Sequence, residues 1–258
     1  MPESDLALLT DAARQAGEIA SGFWSGTNRV WDKSTDDPVS EADLAVDTYL
    51  RERLLAARPD YGWLSEETED DPARLKASRV FVVDPIDGTR AFISGEKTWS
   101  HSLAIVENGL PVTAVVHLPL RGRLFSAEKG KGATLNGEAI AHSGWTGGPE
   151  IRLLANAASM DARHWPVGQP PVRRSFRPSL AYRLCLVAQG RYDAMVTFRD
   201  SWEWDIAAGA LIAAEAGARV TNRAGAALAF NNDRPANHGV VAATPGAYDV
   251  LMAHRAGA

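Results

Sequence analysis

The stretch Val80-Phe81-Val82-Val83-Asp84-Pro85-Ile86-Asp87-Gly88-Thr89 joins an apolar run to two carboxylates and a Gly-Thr turn. The apolar run predicts a buried strand that ends at Asp84, because proline cannot donate to a strand ladder and favours extended geometry in its predecessor. Gly88 lets the backbone turn sharply and leaves the amides of Gly88 and Thr89 facing an anion. Since burying unpaired carboxylates is costly, Asp84 and Asp87 must reach water or share cations. An ordinary acidic turn has the same spacing, so other motifs of the chain are needed to show whether these two aspartates bind cations.

Length and composition are those of a globular chain. The 258 residues can form one large domain or two modest ones that share an interface. No apolar run approaches the roughly 18 residues that a membrane-spanning helix needs, so we expect no membrane partner. The formal net charge of −5 disfavours nucleic acid as a partner, because binding its phosphate backbone requires a basic face.

The cysteine count points to a reducing compartment. Cys185 is the only cysteine, so no internal disulfide can form, and its apolar surroundings predict a packed thiol. The first residues, Met1 to Asp5, lack the basic flank and apolar block of a secretory signal. We therefore expect a cytoplasmic protein.

Hydrophobic spacing predicts mixed helices and strands along the whole chain. Helices are expected over 4–24 with Ser4 as N-cap, from Ser40 to about Ala57 with a capping box to Asp43, over 179–189, from about Asp205 to Ala216, and from Thr244-Pro245 onward. Strands are expected over 79–84, 99–106, 112–118, 123–127, 151–155 and 192–198, with a hairpin at Asn108-Gly109 and a Pro-rich loop at 165–178. This alternation predicts a layered α/β or α+β protein.

The Gly-rich segment 143–150 is the best candidate for a domain junction. We therefore predict an N-terminal α+β subdomain, 1–142, which carries most of the candidate metal ligands. A C-terminal α/β subdomain, 143–258, would carry Asp205 and contacts to the substrate.

Acidic side chains recur at the edges of the predicted elements. They are Asp43 in a first helical turn, Glu66 and Glu67 after an apolar segment, Asp84 with Asp87, and Asp205 after Trp204. Carboxylates without histidine or cysteine partners favour hard ions such as Mg²⁺, which usually shares a substrate phosphate. We predict that these acids, from both halves of the chain, converge on divalent cations. The six histidines occur in unrelated contexts, and we expect most of them at the surface.

The order of these motifs resembles the inositol monophosphatase superfamily. The resemblance is carried by Asp37-Pro38-Val39-Ser40-Glu41-Ala42-Asp43, Leu64-Ser65-Glu66-Glu67, Asp84 to Thr89, and Trp204-Asp205-Ile206-Ala207-Ala208-Gly209 with Glu215-Ala216-Gly217. It spans nearly the whole chain. It implies a layered α-β-α-β-α sugar-phosphatase-type fold with two sheet-containing subdomains. It also implies a Mg²⁺-dependent phosphomonoesterase that uses two or three ions and is inhibited by Li⁺ and Ca²⁺.

The resemblance also implies roles for individual residues. Glu66, Asp84 and the carbonyl of Ile86 would bind a first Mg²⁺, and Asp84, Asp87 and Asp205 a second. Glu66 would touch a third ion through water, with Glu67 close by. Thr89, linked to Asp43, would orient and help deprotonate the attacking water, and the amides of Gly88 and Thr89 would hold a phosphate oxygen. Displacement at phosphorus needs positive charge on the entering, departing and equatorial oxygens, which fits this arrangement.

The substrate is predicted from residues around these motifs. Arg90 follows the Asp-Gly-Thr turn, and together with Leu-Ser-Glu-Glu at 64–67 and Cys-Leu-Val-Ala-Gln-Gly at 185–190 it is more similar to the 3'(2'),5'-bisphosphate nucleotidase branch than to the inositol branch. Arg183, on the helix before Cys185, matches a basic position of that branch. Adenosine 3',5'-bisphosphate is therefore preferred over inositol 1-phosphate, with fructose 1,6-bisphosphate third. A surface salt bridge is the alternative role for either arginine. The family's Gly-Ser turn is replaced by Pro178-Ser179-Leu180, and 197–200 lacks the glutamate that receives inositol hydroxyls.

The sequence disfavours two other classes of function. A non-catalytic regulatory protein with this fold would lack a metal ligand or the Asp43–Thr89 pair, and neither is missing. Nucleic-acid binding is disfavoured by the net charge. The resemblance also implies that a homodimer is possible.

Overall fold

The structure is a computed structural model that describes residues 3–24, 28–34 and 37–255, so Met1 and Pro2 lie outside it. The described residues form the following α-helices: α1 Asp5–Trp24, α2 Glu41–Ala57, α3 Thr89–Ile93, α4 Leu180–Ala188, α5 Glu203–Glu215 and α6 Pro245–Arg255. They form the following strands: β1 Val30–Ser34, β2 Asp37–Ser40, β3 Gly62–Ser65, β4 Arg79–Asp87, β5 Ser100–Glu107, β6 Leu110–Leu118, β7 Arg123–Glu128, β8 Ala133–Leu135, β9 Glu138–Ile140, β10 Ile151–Leu154, β11 Val172–Ser175, β12 Ala194–Thr197, β13 Ser201–Trp202, β14 Arg219–Thr221, β15 Ala236–Asn237 and β16 Val240–Ala243.

Helices and sheets alternate in five layers. A seven-stranded sheet has the order β3-β4-β5-β6-β7-β8-β9, and a five-stranded sheet has the order β11-β10-β12-β16-β14. Helices α1 and α2 cover one face of the larger sheet. Helices α4 and α5 fill the space between the two sheets, and α6 covers the outer face of the smaller one. The predicted α-β-α-β-α arrangement is confirmed.

Strand β4 is buried on both faces, which explains its uninterrupted apolar run. Val80 and Val82 pack with α4 and α5, whereas Phe81 and Val83 pack with α1 and α2. Successive side chains of a strand point to opposite faces, so each of the two cores receives every second residue. Strand β3 runs parallel to β4 on one side, and β5 runs antiparallel on the other.

The prediction that this strand ends at Asp84 is wrong. Pairing continues to Asp87, with Asp84 opposite Ser102 and Asp87 opposite Ser100. Three residue steps on β4 thus match two on β5, which is a β-bulge at Pro85 and Ile86. Proline is tolerated at a bulge because the ladder is interrupted there.

The predicted elements of the first half are otherwise confirmed. The Ala7 amide donates to Ser4 Oγ at 3.2 Å, so Ser4 caps α1. The hairpin between β5 and β6 turns at Asn108 and Gly109, whose φ angles of 51° and 76° are those of a type I′ turn. The structure adds the short helix α3 and the strands β1, β2, β3, β8 and β9, which sequence spacing did not predict.

In the second half the predicted helices and the strands β10 and β12 are present, with one correction. The Pro-rich segment 165–178 is not all loop, since Val172–Ser175 pairs in parallel with β10 as an edge strand. Its sequence Val-Arg-Arg-Ser is too polar to be recognised as a strand without its neighbour. Helix α5 begins at Glu203, two residues before the predicted start. Strands β13, β14, β15 and β16 were not predicted.

The strands of the larger sheet lie between residues 62 and 140, and those of the smaller sheet between 151 and 243. Segment 143–150 contains no helix or strand. Because α4 and α5 pack against both sheets, the two halves share one hydrophobic core. The division into two subdomains at this segment stays a prediction. Among the described helices, none combines the length and apolarity needed to cross a bilayer.

Candidate active site

Three carboxylates from distant parts of the sequence meet at one point. Asp84, Asp87 and Asp205 each place an oxygen within 4.8 Å of the others. Asp84 and Asp87 lie on β4, and Asp205 lies in the first turn of α5. The fold therefore brings the acids of both halves together, as the sequence predicted.

The β-bulge of β4 places Asp84 and Asp87 on the same side of the sheet. Residues three apart in a regular strand point to opposite faces. The extra residue at the bulge puts the two aspartates opposite Ser102 and Ser100, which are two apart and so share a face. The Asp-Pro-Ile-Asp spacing thus has a geometric reason.

Glu66 and Glu67 follow β3, at the end of the sheet where the aspartates of β4 lie. Ser65 is opposite Val83, and the Glu66 amide donates to the Val83 carbonyl at 3.3 Å. Because β3 and β4 are parallel, their carboxyl ends meet at one edge, which brings Glu66 beside Asp84. The negative charge of Glu66 is strong enough at Asp84 to raise the pKa of that carboxyl.

Asp87 is held by the N-terminus of α4. Ser179 Oγ and the Ala181 amide donate to Asp87 Oδ2 at 2.6 and 2.7 Å, and the Leu180 amide donates to Oδ1 at 3.1 Å. The first amides of a helix have no partner within it, so they are available to an anion. Burial raises the pKa of Asp87, and these donors oppose that rise.

Asp205 is placed by close packing of α5 on α4 and on β5. Ser102 Oγ donates to the Trp204 carbonyl at 2.9 Å. At Gly209 the two helices approach so closely that a Cβ atom would lie 2.7 Å from Leu184. The glycine of the Trp-Asp-Ile-Ala-Ala-Gly motif therefore sets how near Asp205 comes to Asp87.

A second group of residues links α2 to the turn after β4. Asp43 Oδ2 accepts bonds from the Ser40 amide at 2.9 Å and from Ser40 Oγ at 2.6 Å, as in a capping box. Thr89 Oγ1 lies 3.1 Å from Asp43 Oδ1 and 3.1 Å from the Ile86 carbonyl. The predicted Asp43–Thr89 pair is therefore formed, and the Ile86 carbonyl lies beside it.

Gly88 makes the turn from β4 into α3. Its φ of 101° lies in the left-handed region, which other residues adopt only with strain. Thr89 and Arg90 then form the first turn of α3, where helix amides lack partners within the helix. Arg90 is exposed at this position.

The carboxylates of the cluster raise one another's pKa. Burial raises the pKa of Asp84 well above its usual value, and the charges of Glu66, Asp87, Asp205 and Asp43 raise it further. Burial also raises the pKa of Asp205, with Asp87 and Glu66 adding to the rise and Arg199 and Arg183 opposing it. So many acids in one buried site require positive charge to remain ionised at neutral pH.

The residues present fit a divalent cation. Within the described chain, neither oxygen of the fully buried Asp84 has a hydrogen-bond partner. A carboxylate in that state is costly unless something else neutralises it. The donors are carboxylate oxygens and a nearby carbonyl, the set that Mg²⁺, Ca²⁺ and Mn²⁺ prefer.

The profile of the inositol monophosphatase family matches residues 1–257. The chain belongs to this family. It is 35% identical over 232 residues to an inositol-1-monophosphatase of Rhizobium meliloti, covering 85% of this chain and 86% of that protein. It is 34% identical to the Nus factor SuhB of Xylella fastidiosa, covering 85% and 82%. The structure of a Thermotoga maritima IMPase superposes with a TM-score of 0.82 at 29% identity, covering 94% of this chain and 93% of that one.

Family membership makes this chain a metal-dependent phosphatase, a hydrolase of phosphate esters. Of the acids in the motifs that carried the resemblance, the fold brings Asp84, Asp87 and Asp205 together. The residues further from the cluster agree less well with their predicted roles.

Arg183 is buried, and no carboxylate of the described residues forms a salt bridge with it. It is 7% exposed and donates to the carbonyls of Arg177 and Pro178, while its guanidinium lies 4.4 Å from the Phe176 ring centroid. Burial lowers its pKa to about 10. Arg183 therefore fixes its own loop, and its predicted contact with substrate would have to be made from this buried position.

The histidines differ in burial. His238 is exposed and His142, His164, His254 and His117 are half-buried, so most reach the surface as predicted, whereas His101 is completely buried. His101 Nδ1 is hydrogen-bonded to the Pro85 carbonyl within the β-bulge, and Trp99 packs edge-on against its ring. Burial lowers the pKa of His101 to about 3, so it is a neutral part of the packing behind the acids.

Ser179 was missed as a residue of the site. Its sequence signal is a serine directly before an apolar helical run, which predicts an N-cap. That signal locates the start of α4 but not the acid that the helix start faces, because Asp87 lies 92 residues earlier.

Proposed function

We propose that this protein is a Mg²⁺-dependent phosphomonoesterase of a small phosphorylated metabolite. The single observation that carries the proposal is the unpartnered, fully buried carboxylate of Asp84 between Asp87 and Asp205. The Asp43–Thr89 pair lies at the end of the same strand. A regulatory protein without catalysis would have no need to keep both features.

The acids are proposed to hold the cations in the way that the family resemblance implies. Glu66, Asp84 and the Ile86 carbonyl would hold one Mg²⁺, and Asp84, Asp87 and Asp205 another. Glu66, with Glu67 beside it, would reach a third through water. Bound cations would neutralise the charge of the phosphoryl group and make a bound water more acidic.

The residues around the cluster would position the reacting groups. Thr89 Oγ1 donates to Asp43, so the oxygen of Thr89 can accept a proton from water while its own proton moves to the carboxylate. Burial, followed by the nearby charge of Glu67, raises the pKa of Asp43 to about 6, which makes it a better base than an exposed aspartate. The amides of Gly88 and Thr89 would hold a phosphate oxygen at the start of α3.

For the ester, we propose inositol 1-phosphate first and adenosine 3',5'-bisphosphate second. The first rests on similarity to the Rhizobium meliloti inositol-1-monophosphatase. The second rests in part on Arg90 and Arg183, and two of the five N–H groups of Arg183 donate to its own loop. Arg90 remains exposed, and the charge of Arg199 acts on Asp205, so a second anionic group would still meet positive charge. Fructose 1,6-bisphosphate stays third.

The deciding experiment measures phosphate release from the three esters in Mg²⁺, in EDTA and in Mg²⁺ with Li⁺ or Ca²⁺. We expect turnover in Mg²⁺, none in EDTA, and inhibition by both added ions. If no phosphate is released from any phosphomonoester, in Mg²⁺ or in EDTA, the proposal is overturned and a regulatory protein is favoured.

Two arginine variants test the choice of ester. Arg90→Ala removes an exposed cation, whereas Arg183→Ala also loosens the loop that precedes α4. If a bisphosphate is the substrate, Arg90→Ala should raise the KM for it more than the KM for inositol 1-phosphate. Equal KM changes for both esters would remove Arg90 from substrate selection.

The remaining proposals concern the protein in the cell. A cytoplasmic location rests on the lone, fully buried Cys185. A homodimer rests on the family resemblance, and sedimentation of the purified protein would test it.

A further inference from the structure

A third buried acid lies on the helix that carries Asp43. Asp47 is 6% exposed and follows Asp43 by four residues on α2, so both side chains lie on the same face of that helix. Asp47 was not among the predicted site residues. Its two oxygens nevertheless point away from solvent, toward the segment after β3.

Asp47 accepts two short hydrogen bonds from that segment. Ser65 Oγ donates to Asp47 Oδ1 at 2.5 Å, and Thr68 Oγ1 donates to Oδ2 at 2.6 Å. Thr68 Oγ1 in turn accepts from Trp63 Nε1 at 3.3 Å. Hydrogen bonds to an ionised group are stronger than those between neutral groups, so this contact holds the segment firmly.

The two donors flank the Glu66–Glu67 pair. Ser65 is the residue before Glu66, and Thr68 is the residue after Glu67. The segment between them forms a bend after β3, where the Glu66 amide donates to the Val83 carbonyl. Because Asp47 is hydrogen-bonded to the first and last residues of this four-residue turn, it restricts the orientation of Glu66 and Glu67.

We infer that Asp47 is a positioning residue for the cation site. It ties the turn that carries Glu66 and Glu67 to α2, the helix that carries Asp43. One helix would thus set the relative positions of the base and of the acids at the end of β3. The inference rests on the proposed function, because it assigns Glu66 and Glu67 to metal binding.

Removing the Asp47 carboxylate should weaken cation binding more than it slows turnover at saturating cation. Groups that orient metal ligands without touching the metal typically contribute about 10–100-fold to metal affinity or activity. We expect Asp47→Ala to raise the half-saturating Mg²⁺ concentration at least tenfold, with kcat at saturating Mg²⁺ reduced much less.

Two readouts are needed. The first is phosphate release at increasing Mg²⁺, which gives the half-saturating concentration and kcat separately. The second is direct titration of the protein with Mn²⁺, followed by the paramagnetic resonance signal of the free ion, which needs no catalysis. Carboxylate sites of this kind accept Mn²⁺ as well as Mg²⁺.

Matched variants separate positioning from folding. Thr48→Ala changes the exposed neighbour of Asp47 on the same helix and should behave as wild type. Thr68→Val removes one donor while keeping the shape of the side chain, and Thr68→Ser keeps the hydroxyl. Thr68→Val and Ser65→Ala should each weaken Mn²⁺ binding, and Thr68→Ser should restore it.

The outcomes are distinct. Weaker Mn²⁺ binding in Asp47→Ala and Thr68→Val, but not in Thr68→Ser or Thr48→Ala, supports the inference. A lower melting temperature with unchanged Mn²⁺ binding would overturn it and leave Asp47 a purely structural contact. If Asp47→Ala does not fold, Ser65→Ala and Thr68→Val decide by the same criterion. A wild type that binds Mn²⁺ but releases no phosphate would overturn the proposed function alone.

Discussion

Ser179 Oγ donates a 2.6 Å hydrogen bond to Asp87 Oδ2 across 92 residues of sequence. This bond joins a strand of the larger sheet to a helix that lies between the two sheets. The position of Asp87 is thus fixed both by the pairing of β4 with β5 and by the start of α4. The candidate cation site is therefore a product of the whole fold and not of either half.

Ser179→Ala should weaken both the helix start and the site. The hydroxyl also accepts from the Tyr182 amide at 2.9 Å, so its loss should cost about 1 kcal/mol of stability as a lost N-cap. Phosphate release should fall roughly 10–100-fold because Asp87 is less well oriented. Urea unfolding and steady-state kinetics measure the two effects.

Ser100→Ala is the matched control. Ser100 Oγ lies 2.9 Å from Ser179 Oγ but does not bond Asp87. It should change stability slightly and leave turnover near that of wild type. If Ser100→Ala and Ser179→Ala reduce turnover equally, the bond to Asp87 has no special role.

Gly209→Ala should destabilise the protein because α4 and α5 pack too closely to admit a methyl group. The added Cβ would lie 2.7 Å from Leu184 and 3.1 Å from the Ala181 carbonyl. Overpacking of this kind typically costs about 1–3 kcal/mol. Gly22→Ala provides the contrast, because that glycine lies in α1 with nothing within 4 Å of the new atom.

Thermal or urea unfolding compares the two variants. Gly22→Ala should stabilise the protein by roughly 0.5–1 kcal/mol, since alanine is the better helix former. An unchanged or raised stability of Gly209→Ala would show that the helices separate without penalty, and the account of how Asp205 is placed would then be wrong.

Local sequence patterns predicted the long elements well. The run Val80 to Val83 identified β4 because both of its faces are buried, and Asn108-Gly109 identified the hairpin because few residues adopt positive φ without strain. Helix α2 was recognised from its capping residues, which act within one turn of the chain.

Contacts between distant segments could not be predicted in the same way. The bulge in β4 exists because of its pairing with β5, so Pro85 was misread as the end of a strand. The polar strand β11 pairs in parallel with β10, a contact that its own sequence does not reveal. The sequence predicted that Arg183 contacts the substrate. In the structure it donates to carbonyls of the loop before α4, which the tertiary fold places against it.

Asp84→Asn should abolish activity and yet stabilise the protein in EDTA. Losing a proposed ligand of two cations should lower phosphate release by several orders of magnitude. Without cations, burial and the neighbouring carboxylates disfavour the ionised form of Asp84, and asparagine carries no charge at any pH, so the melting temperature should rise. For a chain of this size, each kcal/mol corresponds to about 2–4 °C.

Added Mg²⁺ provides the complementary measurement. A ligand that binds only the folded state stabilises it by about 2.7 kcal/mol at 100 times its Kd. Mg²⁺ should therefore raise the melting temperature of wild type and of Asp60→Asn, an exposed control, but not that of Asp84→Asn. Near-normal turnover of Asp84→Asn, or an equal Mg²⁺ effect on its melting temperature, would contradict the assignment of Asp84 as the shared ligand.

The stability of the protein in EDTA should fall as pH rises because of Asp43. Burial raises the pKa of this carboxyl from 3.8 to about 6, so between these values the folded state holds a proton that the unfolded state has lost. The contribution of Asp43 to stability is complete below about pH 4 and is lost as pH rises through 6. The Asp43→Asn variant has no ionisable group at this position.

Urea unfolding in EDTA from pH 4 to 8 compares wild type with Asp43→Asn. Asp84 and Asp205 titrate in both proteins with the same sign, so the difference between the curves reports the titration of Asp43 together with its repulsion of Asp84. Since one pH unit corresponds to about 1.4 kcal/mol per proton, that difference should shift by roughly 2–3 kcal/mol in favour of Asp43→Asn between pH 4 and 6. It should stay constant above that range, and Asp60→Asn should run parallel to wild type throughout. A constant difference between wild type and Asp43→Asn across the whole range would mean that Asp43 ionises as easily as an exposed aspartate, and its proposed part in proton transfer would lose its physical basis.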